Sequence, residues 1–82
     1  MSNNLLSEQV RAARMLLRWN QQDLASASSV SLGTIKRLEA KPGIIDAHAP
    51  TINAIRLAFE RAGIELISQN GGGPGVRLKQ SR

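Results

Sequence analysis

The sequence contains no cysteine and no tyrosine, and it has one tryptophan and one phenylalanine among its 82 residues. The absence of cysteine excludes disulfides and thiolate metal ligands, and it fits a reducing, intracellular environment. Proteins that bind single-stranded nucleic acid stack the bases on aromatic side chains. The scarcity of aromatic residues therefore argues against a reader of single strands or of RNA.

Long apolar runs and clusters of catalytic residue types are also missing. No run reaches the length that spans a bilayer, and the first ten residues lack the basic start and apolar core of a signal peptide. We therefore expect a soluble, cytoplasmic protein. The six acidic residues and the single histidine, His48, form no pair at a catalytic or metal-binding spacing. We expect neither an enzyme nor a bound metal or cofactor, and His48 is predicted to be an exposed loop residue.

Basic residues are abundant, with 11 basic against 6 acidic side chains and a net charge of +5. In a small domain this excess indicates a polyanionic partner, usually nucleic acid. Because single strands are disfavoured, duplex DNA is the favoured partner. The length predicts one small domain near the lower limit for an independent hydrophobic core, and such domains often gain stability by oligomerisation.

Four segments repeat apolar residues at helical spacing, and each starts at a polar residue suited to cap a helix. The predicted helices cover residues 7–18, 21–28, 32–40 and 52–62. Their predicted caps are Ser7, Asn20, Ser31 and Thr51. The apolar face of the first helix is predicted to comprise Val10, Ala13, Met15, Leu16 and Leu17. Trp19 is predicted to cover the core at the end of this helix.

The third and fourth helices are each followed by a stop signal. Lys41-Pro42-Gly43 ends the third helix because a residue before proline disfavours the helical conformation. Gly63 is the natural C-cap of the fourth helix. Residues 44–50, between the two helices, are predicted to be a loop. Beyond Gly63 the pattern changes to the alternation typical of strands, with predicted strands over 64–68 and 76–79.

A glycine-rich turn over residues 70–75 separates the two predicted strands. It lacks the Lys-Ser/Thr ending of a phosphate-binding loop. We divide the chain into a helical domain, residues 1–63, and a strand extension, residues 64–82. The last few residues are expected to fray. Arg77, Lys79 and Arg82 are interpreted as keeping the tail soluble rather than as contacting DNA.

The two strands can pair in two ways. An isolated hairpin is marginal in water and its edges need partners, so we expect strands of two chains to pair and form a homodimer. Such a dimer places two recognition helices roughly 10 base pairs apart on a near-palindromic operator. The alternative is a hairpin that packs on its own fourth helix in a monomer.

The twenty residues from Gln21 to Ala40 have the length and spacing of a helix-turn-helix unit. Ala25, at the fifth position, supplies the small side chain that two crossing helices require. The apolar positions that pack the unit on the domain are Leu24, Val30, Ile35 and Leu38. This geometry lets the second helix of the unit enter the major groove, where the pattern of donors and acceptors distinguishes all four base pairs.

The segments Asn20–Ala25 (NQQDLA) and Val30–Glu39 (VSLGTIKRLE), with the preceding helix VRAARMLL, resemble the Xre-like (lambda-repressor-like) helix-turn-helix regulators. The resemblance covers about residues 7–62. It implies a mainly α, four-helix lambda-repressor-like domain, here followed by a short C-terminal β-hairpin or strand pair. It also implies a sequence-specific regulator of transcription, more often a repressor, that inserts its third helix into double-stranded DNA.

The resemblance implies roles for single residues at the start of the two helices. Gln21 matches the glutamine that grips a backbone phosphate. The positions that face bases are occupied by Leu32, Gly33 and Arg37, with Thr34 and Lys36 beside them. We add Gln22 and Ser31, at the same two helix starts, to the expected DNA contacts. Arg14 and Glu39 match a pair that forms a buried, structural salt bridge.

Three features depart from the family pattern. Ser29 stands where a glycine usually makes the turn, and Ser28 stands where the family has an apolar residue. A left-handed serine is strained, so we expect a looser turn. Leu32 and Gly33 offer few hydrogen bonds. Direct readout then falls mainly on Arg37 and on its neighbour Lys36, and arginine to guanine is the commonest specific contact.

A second hypothesis keeps the scaffold and changes the partner. The two turn serines and the apolar C-terminal strands also fit a protein-interaction module, such as an antitoxin or an antiactivator. The salt dependence of duplex binding separates the two hypotheses, because neutralised phosphates release counterions.

Overall fold

The computed structural model describes residues 4–69 and 71–79, in which four α-helices precede two antiparallel β-strands. The elements are α1 (Ser7–Leu17), α2 (Gln21–Ser28), α3 (Leu32–Ala40), α4 (Ala49–Arg61), β1 (Ile64–Ile67) and β2 (Gly75–Leu78). The mainly helical architecture with a small two-stranded sheet is confirmed. Over the same residues, no helix combines the length and the apolar character needed to cross a bilayer. Asn70 of the predicted turn and the predicted fraying of residues 80–82, including Arg82, lie outside the described residues.

Helix α1 begins after Leu6, and the prediction of Ser7 as its cap is wrong. Ser7 is completely buried in the first turn, and its N–H donates to the carbonyl of Gly43 at 2.8 Å. The Leu6 N–H donates instead to Oε1 of Gln9 at 3.0 Å. The segment before α1 pairs with the loop after α3 through a bridge between Leu6 and Ile44. The long-range pairing and the local bond from Leu6 to Gln9 together set the start of the helix.

The predicted apolar face of α1 is only partly buried. Val10 and Ala13 are in the core and Leu17 packs against it, whereas Met15 and Leu16 are 72% and 43% exposed. Val10, Ala13 and Leu17 follow the three- and four-residue steps of one helical stripe, and Met15 and Leu16 fall outside that stripe. The expectation that all five residues face the core is therefore wrong for these two.

Helix α4 begins at Ala49, three residues before its predicted start, with His48 as the N-cap. Proline fits the first turn of a helix because its missing N–H would have no helical partner there. Pro50 therefore lies inside the helix, and so does Thr51, which was predicted to be the cap. Gly63 follows the helix with a φ of +94°, a left-handed conformation that favours glycine.

The core contains residues from all four helices, from β1, and from the two segments that pair before α1 and after α3. Its buried apolar residues are Leu5, Val10, Ala13, Leu24, Ala25, Ile35, Leu38, Ile45, Ile55, Ala58, Phe59 and Ile64. The predicted core positions of the helix-turn-helix unit are confirmed, with Val30 half-buried against them. Trp19 stacks on Phe59 with ring centroids 5.9 Å apart, as expected of a core lid. Leu5 and Ile45 are core residues that the sequence pattern did not indicate.

The two strands pair with each other in this chain, in a register that joins Ile64 to Leu78 and Ile67 to Gly75. β1 packs against α4, and β2 packs against α1. The buried side chain of Gln9 donates from Nε2 to the carbonyls of Ile67 and Gly75, each at 3.0 Å. The hairpin is thus attached to α1 and completes the core, which corresponds to the within-chain arrangement.

Candidate nucleic-acid interface

Helices α2 and α3 form a packed pair joined by three residues, the connection length found in helix-turn-helix motifs. Leu24 of α2 and Ile35 and Leu38 of α3 turn into the core, each at most 4% exposed. The pair is therefore held rigidly by the rest of the domain, and its remaining faces are left to solvent.

Both helices begin at the predicted caps. The Asn20 side chain accepts from the N–H of Asp23 at 2.8 Å, and the Asp23 carboxylate accepts from the N–H of Asn20 at 2.9 Å. This reciprocal pair is a capping box. The Ser31 hydroxyl accepts from the N–H of Thr34 at 3.2 Å. Local signals thus fix the starts of both helices and, with them, the length of the turn.

The turn is more tightly bonded than the sequence suggested. Ser29 adopts the left-handed conformation, with a φ of +61°, at the position where a glycine was expected. The buried Ser28 hydroxyl donates to the carbonyl of Leu24 at 2.7 Å and accepts from the N–H of Val30 at 3.2 Å. The expectation of a looser turn is wrong at Ser28, because its hydroxyl bonds to the backbone on both sides of the turn.

One stripe of α3 is exposed, and we call it the outer face. It comprises Gly33, Lys36, Arg37 and Ala40. These positions follow steps of three, one and three residues, so they share one side of the helix. A Cβ added at Gly33 would meet no atom within 4 Å. The outer face is therefore open and basic, with no bulky side chain at its N-terminal end.

Two predicted contact residues lie beside the outer face rather than on it. Leu32 is half-buried and packs against the core, so the expectation that it faces bases is not supported. A large apolar side chain is stabilised by such burial, and it precedes the exposed stripe by one residue. Thr34 is half-buried, and its hydroxyl accepts from the exposed Ser31 at 2.9 Å.

Arg37 lies between the outer face and the loop that follows α3. Its Nη1 donates to the carbonyl of Asp46 at 3.4 Å, a long bond for an exposed side chain. A groove of about 500 Å³ borders it, lined by Thr34, Arg37, Asp46, Ala47, His48 and Thr51. His48 is exposed, as predicted. Asp46 and Thr51 were missed as neighbours of the site, because an irregular loop carries no periodicity that places it against a helix.

The two glutamines at the start of α2 differ in their surroundings. Gln22 is exposed, and its Nε2 donates to the Ser26 hydroxyl at 3.2 Å on the same helix. Gln21 is half-buried, and its Nε2 donates to Oε1 of Glu39 at 3.1 Å. Gln21, the side chain predicted to bind a backbone phosphate, is therefore hydrogen-bonded to the C-terminal end of α3.

The ion pair expected between Arg14 and Glu39 forms in the structure. The Nε and Nη2 atoms of Arg14 each lie 2.8 Å from one Glu39 carboxylate oxygen. The side chains are 15% and 4% exposed. Removing either residue leaves the charge of the other buried without a partner, which lowers the free energy of unfolding by an amount on the order of 3–5 kcal/mol. The pair joins α1 to α3.

A second carboxylate fixes the loop next to the site. The N–H of Gly43 donates to both oxygens of Glu8, at 3.1 and 3.3 Å. Hydrogen bonds from the backbone N–H groups of Glu8 itself and of Gly43 lower the pKa of the Glu8 carboxyl. A lowered pKa contributes stability at pH values above the pKa that the carboxyl has in the unfolded chain. This stability is lost as the pH falls through the pKa of the folded protein.

The basic residues of the hairpin are engaged within the chain. Arg77 donates from Nε to the Glu65 carboxylate on the opposite strand at 2.8 Å, and this bond lowers the pKa of Glu65. Lys79 donates from Nζ to the carbonyl of Glu60 at 3.3 Å. Both contacts are exposed, which fits the interpretation of these residues as surface charges.

No protein-family model and no curated protein matches this chain. The function must therefore be inferred from the outer face of α3 and the residues around it.

Proposed function

We propose that the protein is a sequence-specific regulator of transcription with a lambda-repressor-like helix-turn-helix fold. Regulators of the family that it resembles are more often repressors, and we propose that role for this protein. In this proposal the outer face of α3 enters the major groove of duplex DNA. The observation that carries it is the outer face itself. Lys36 and Arg37 are exposed on one stripe of a helix whose opposite side is buried, and Gly33 leaves the same stripe open.

Each residue of the outer face suits a different contact. The major groove admits one α-helix, and an arginine there can bond to O6 and N7 of guanine together. Arg37 supplies this group once it leaves the long bond to Asp46. Lys36 adds a second cation. Gly33, with no side chain, allows the helix backbone to approach the bases.

The start of α2 suits the DNA backbone. Gln21 and Gln22 occupy the first turn of the helix, where the positive end of the helix dipole favours an anion. The net charge of +5 adds the long-range attraction that draws a basic domain to phosphates. Contacts of this kind position the protein, whereas the outer face reads the sequence.

Titration of the full chain with duplex DNA tests the proposal. Fluorescence anisotropy with a random-sequence duplex and with duplexes selected from a random library should give binding that weakens steeply as salt is added. Arg37→Ala should lose about 1–3 kcal/mol on the selected sequence and much less on random DNA. Gln21→Ala should weaken binding evenly on both. Arg61→Ala, which removes one exposed charge near the hairpin, is the matched control.

Two outcomes contradict the proposal. Failure of the wild-type chain to bind any duplex at low salt would exclude DNA as its partner. Equal losses for Arg37→Ala on selected and random DNA would remove the base-reading role of this residue while leaving non-specific binding in place.

Exposed apolar side chains on α1 favour a second candidate function, a protein-interaction module such as an antitoxin or an antiactivator. Met15 and Leu16 are neighbours in the chain and are 72% and 43% exposed. Burial of such side chains stabilises a protein complex. Absence of duplex binding, together with a stoichiometric complex that Met15→Lys disrupts, would favour this function.

A further inference from the structure

Gln21 is tied to the buried ion pair between α1 and α3. Oε1 of Glu39 accepts two hydrogen bonds, one from Nη2 of Arg14 at 2.8 Å and one from Nε2 of Gln21 at 3.1 Å. Glu39 is itself fixed, because Arg14 also donates from Nε to its second oxygen at 2.8 Å. The side chain at the start of α2 is therefore held by a nearly buried carboxylate at the end of α3.

The chemistry of a primary amide makes this bond compatible with a second anion. Nε2 of glutamine carries two N–H groups, and Oε1 is a separate acceptor. Glu39 takes one N–H of Gln21. The half-buried side chain keeps a second N–H, and hydrogen bonds to an anion such as phosphate are stronger than bonds between neutral groups. One amide can thus join a buried carboxylate to a phosphate.

Arg14 positions the start of α2 as well as the carboxylate of Glu39. Its Nη1 donates to the carbonyl of Trp19 at 3.0 Å, directly before the Asn20 cap of α2. The same guanidinium therefore bonds both to the chain entering α2 and to the Glu39 carboxylate that holds Gln21. Their relative positions are set by one rigid, planar group.

We propose that Glu39 and Arg14 are positioning residues for phosphate binding, acting through the side-chain amide of Gln21. This inference rests on the proposed function, since it assigns a further role within the same DNA-binding site. A glutamine that is already held loses less side-chain freedom when it binds. The ion pair thus contributes to DNA affinity in addition to stability.

A double-mutant cycle tests the proposal. Glu39→Met keeps the length of the side chain and removes both acceptor oxygens. On a random-sequence duplex, at a temperature where circular dichroism shows every variant folded, it should weaken binding about two- to tenfold. In a Q21A background the same substitution should leave the dissociation constant unchanged, because the amide through which Glu39 acts is gone. A purely structural role predicts the same change in both backgrounds.

A measurement on the wild-type chain covers the case in which Glu39→Met does not fold. In the NMR spectrum a duplex should shift the resonance of one Nε2 proton of Gln21 much more than that of the other. Similar shifts of both protons would overturn the proposal. Equal effects of Glu39→Met in both backgrounds would also overturn it and leave DNA binding intact. Failure of the wild-type chain to bind any duplex overturns both the inference and the proposed function.

Discussion

Ser29 occupies a backbone conformation that side chains other than glycine rarely adopt, with a φ of +61°. The left-handed conformation costs an L-residue about 1–2 kcal/mol, and glycine avoids this cost while losing more entropy on folding. Ser29→Gly should therefore raise the free energy of unfolding by about 0.5–1 kcal/mol, measured by urea denaturation. Ser29→Ala keeps the strain and should give no gain. A gain of the same size for alanine would show that the conformation is not the cause.

Gly33 gives opposite predictions for stability and for binding. An added Cβ meets no atom within 4 Å, and alanine favours helix by up to about 1 kcal/mol over glycine. Gly33→Ala should therefore stabilise the fold in urea denaturation. If α3 lies in the major groove as proposed, the same variant should bind duplex DNA more weakly in anisotropy titrations, because the methyl group would occupy the space between α3 and the bases. Weaker binding by a more stable protein cannot result from unfolding. Unchanged affinity would place Gly33 outside the contact.

The residues of the candidate site show which features sequence reasoning can reach. The exposure of Lys36 and Arg37 follows from helical periodicity, since Ile35 and Leu38 fix the buried side of α3. The partial burial of Leu32 does not follow, because its packing depends on how the helix start lies against the core. The ion pair of Arg14 with Glu39 and the proposed phosphate contact of Gln21 were implied by the resemblance to the helix-turn-helix regulators. The bond that links Gln21 to the ion pair joins residues 18 positions apart, and no local pattern indicates it.

At the scale of elements, the helix boundaries set by local side chains are predicted from the sequence, and those that depend on other contacts are predicted less well. α2 and α3 begin where they are predicted, because Asn20 and Ser31 supply side-chain caps to their own helices. α1 begins at Ser7 as predicted, but its cap is Leu6 rather than Ser7, because Ser7 is bonded to a loop more than thirty residues away. α4 begins three residues before its predicted start, because Pro50 fits inside a first turn. The strands are predicted to within one residue, and their pairing partner required the structure.

One side chain of α1 is hydrogen-bonded to both strands of the hairpin. Gln9 accepts from the N–H of Leu6 and donates to the carbonyls of Ile67 and Gly75. Gln9→Ala leaves these groups without their partner, so it should lower the free energy of unfolding by about 2–3 kcal/mol and speed hydrogen exchange in both strands. Gln22→Ala, which alters an exposed glutamine of α2, is the matched control. Similar losses for the two variants would show that the contact to the hairpin is weak.

At the scale of the whole molecule, the proposed homodimer needs a test that keeps the hairpin. A chain ending at Gly63 would lack Ile64, which is completely buried, so its oligomeric state would report on a damaged core. Leu78 of β2 and Leu57 of α4 are each 47% exposed and provide a matched pair. If the hairpin mediates association, sedimentation should show a dimer that Leu78→Lys dissociates and Leu57→Lys does not. A monomeric wild-type chain, or a Leu78→Lys variant that stays dimeric, would contradict this proposal.

The attachment of the hairpin to α1 also affects how the protein is made. Gln9 bonds to carbonyls 58 and 66 residues further along the chain. Proteins generally fold from the N-terminus during translation, but the Nε2 group of Gln9 has both of its carbonyl partners only after β2 leaves the ribosome. Nascent chains that carry all four helices should thus be captured by chaperones or cleaved by proteases until β2 emerges. Ribosome-bound chains that are lengthened by an added linker, and stalled just before and just after Gly75 emerges, should differ sharply in their resistance to a protease.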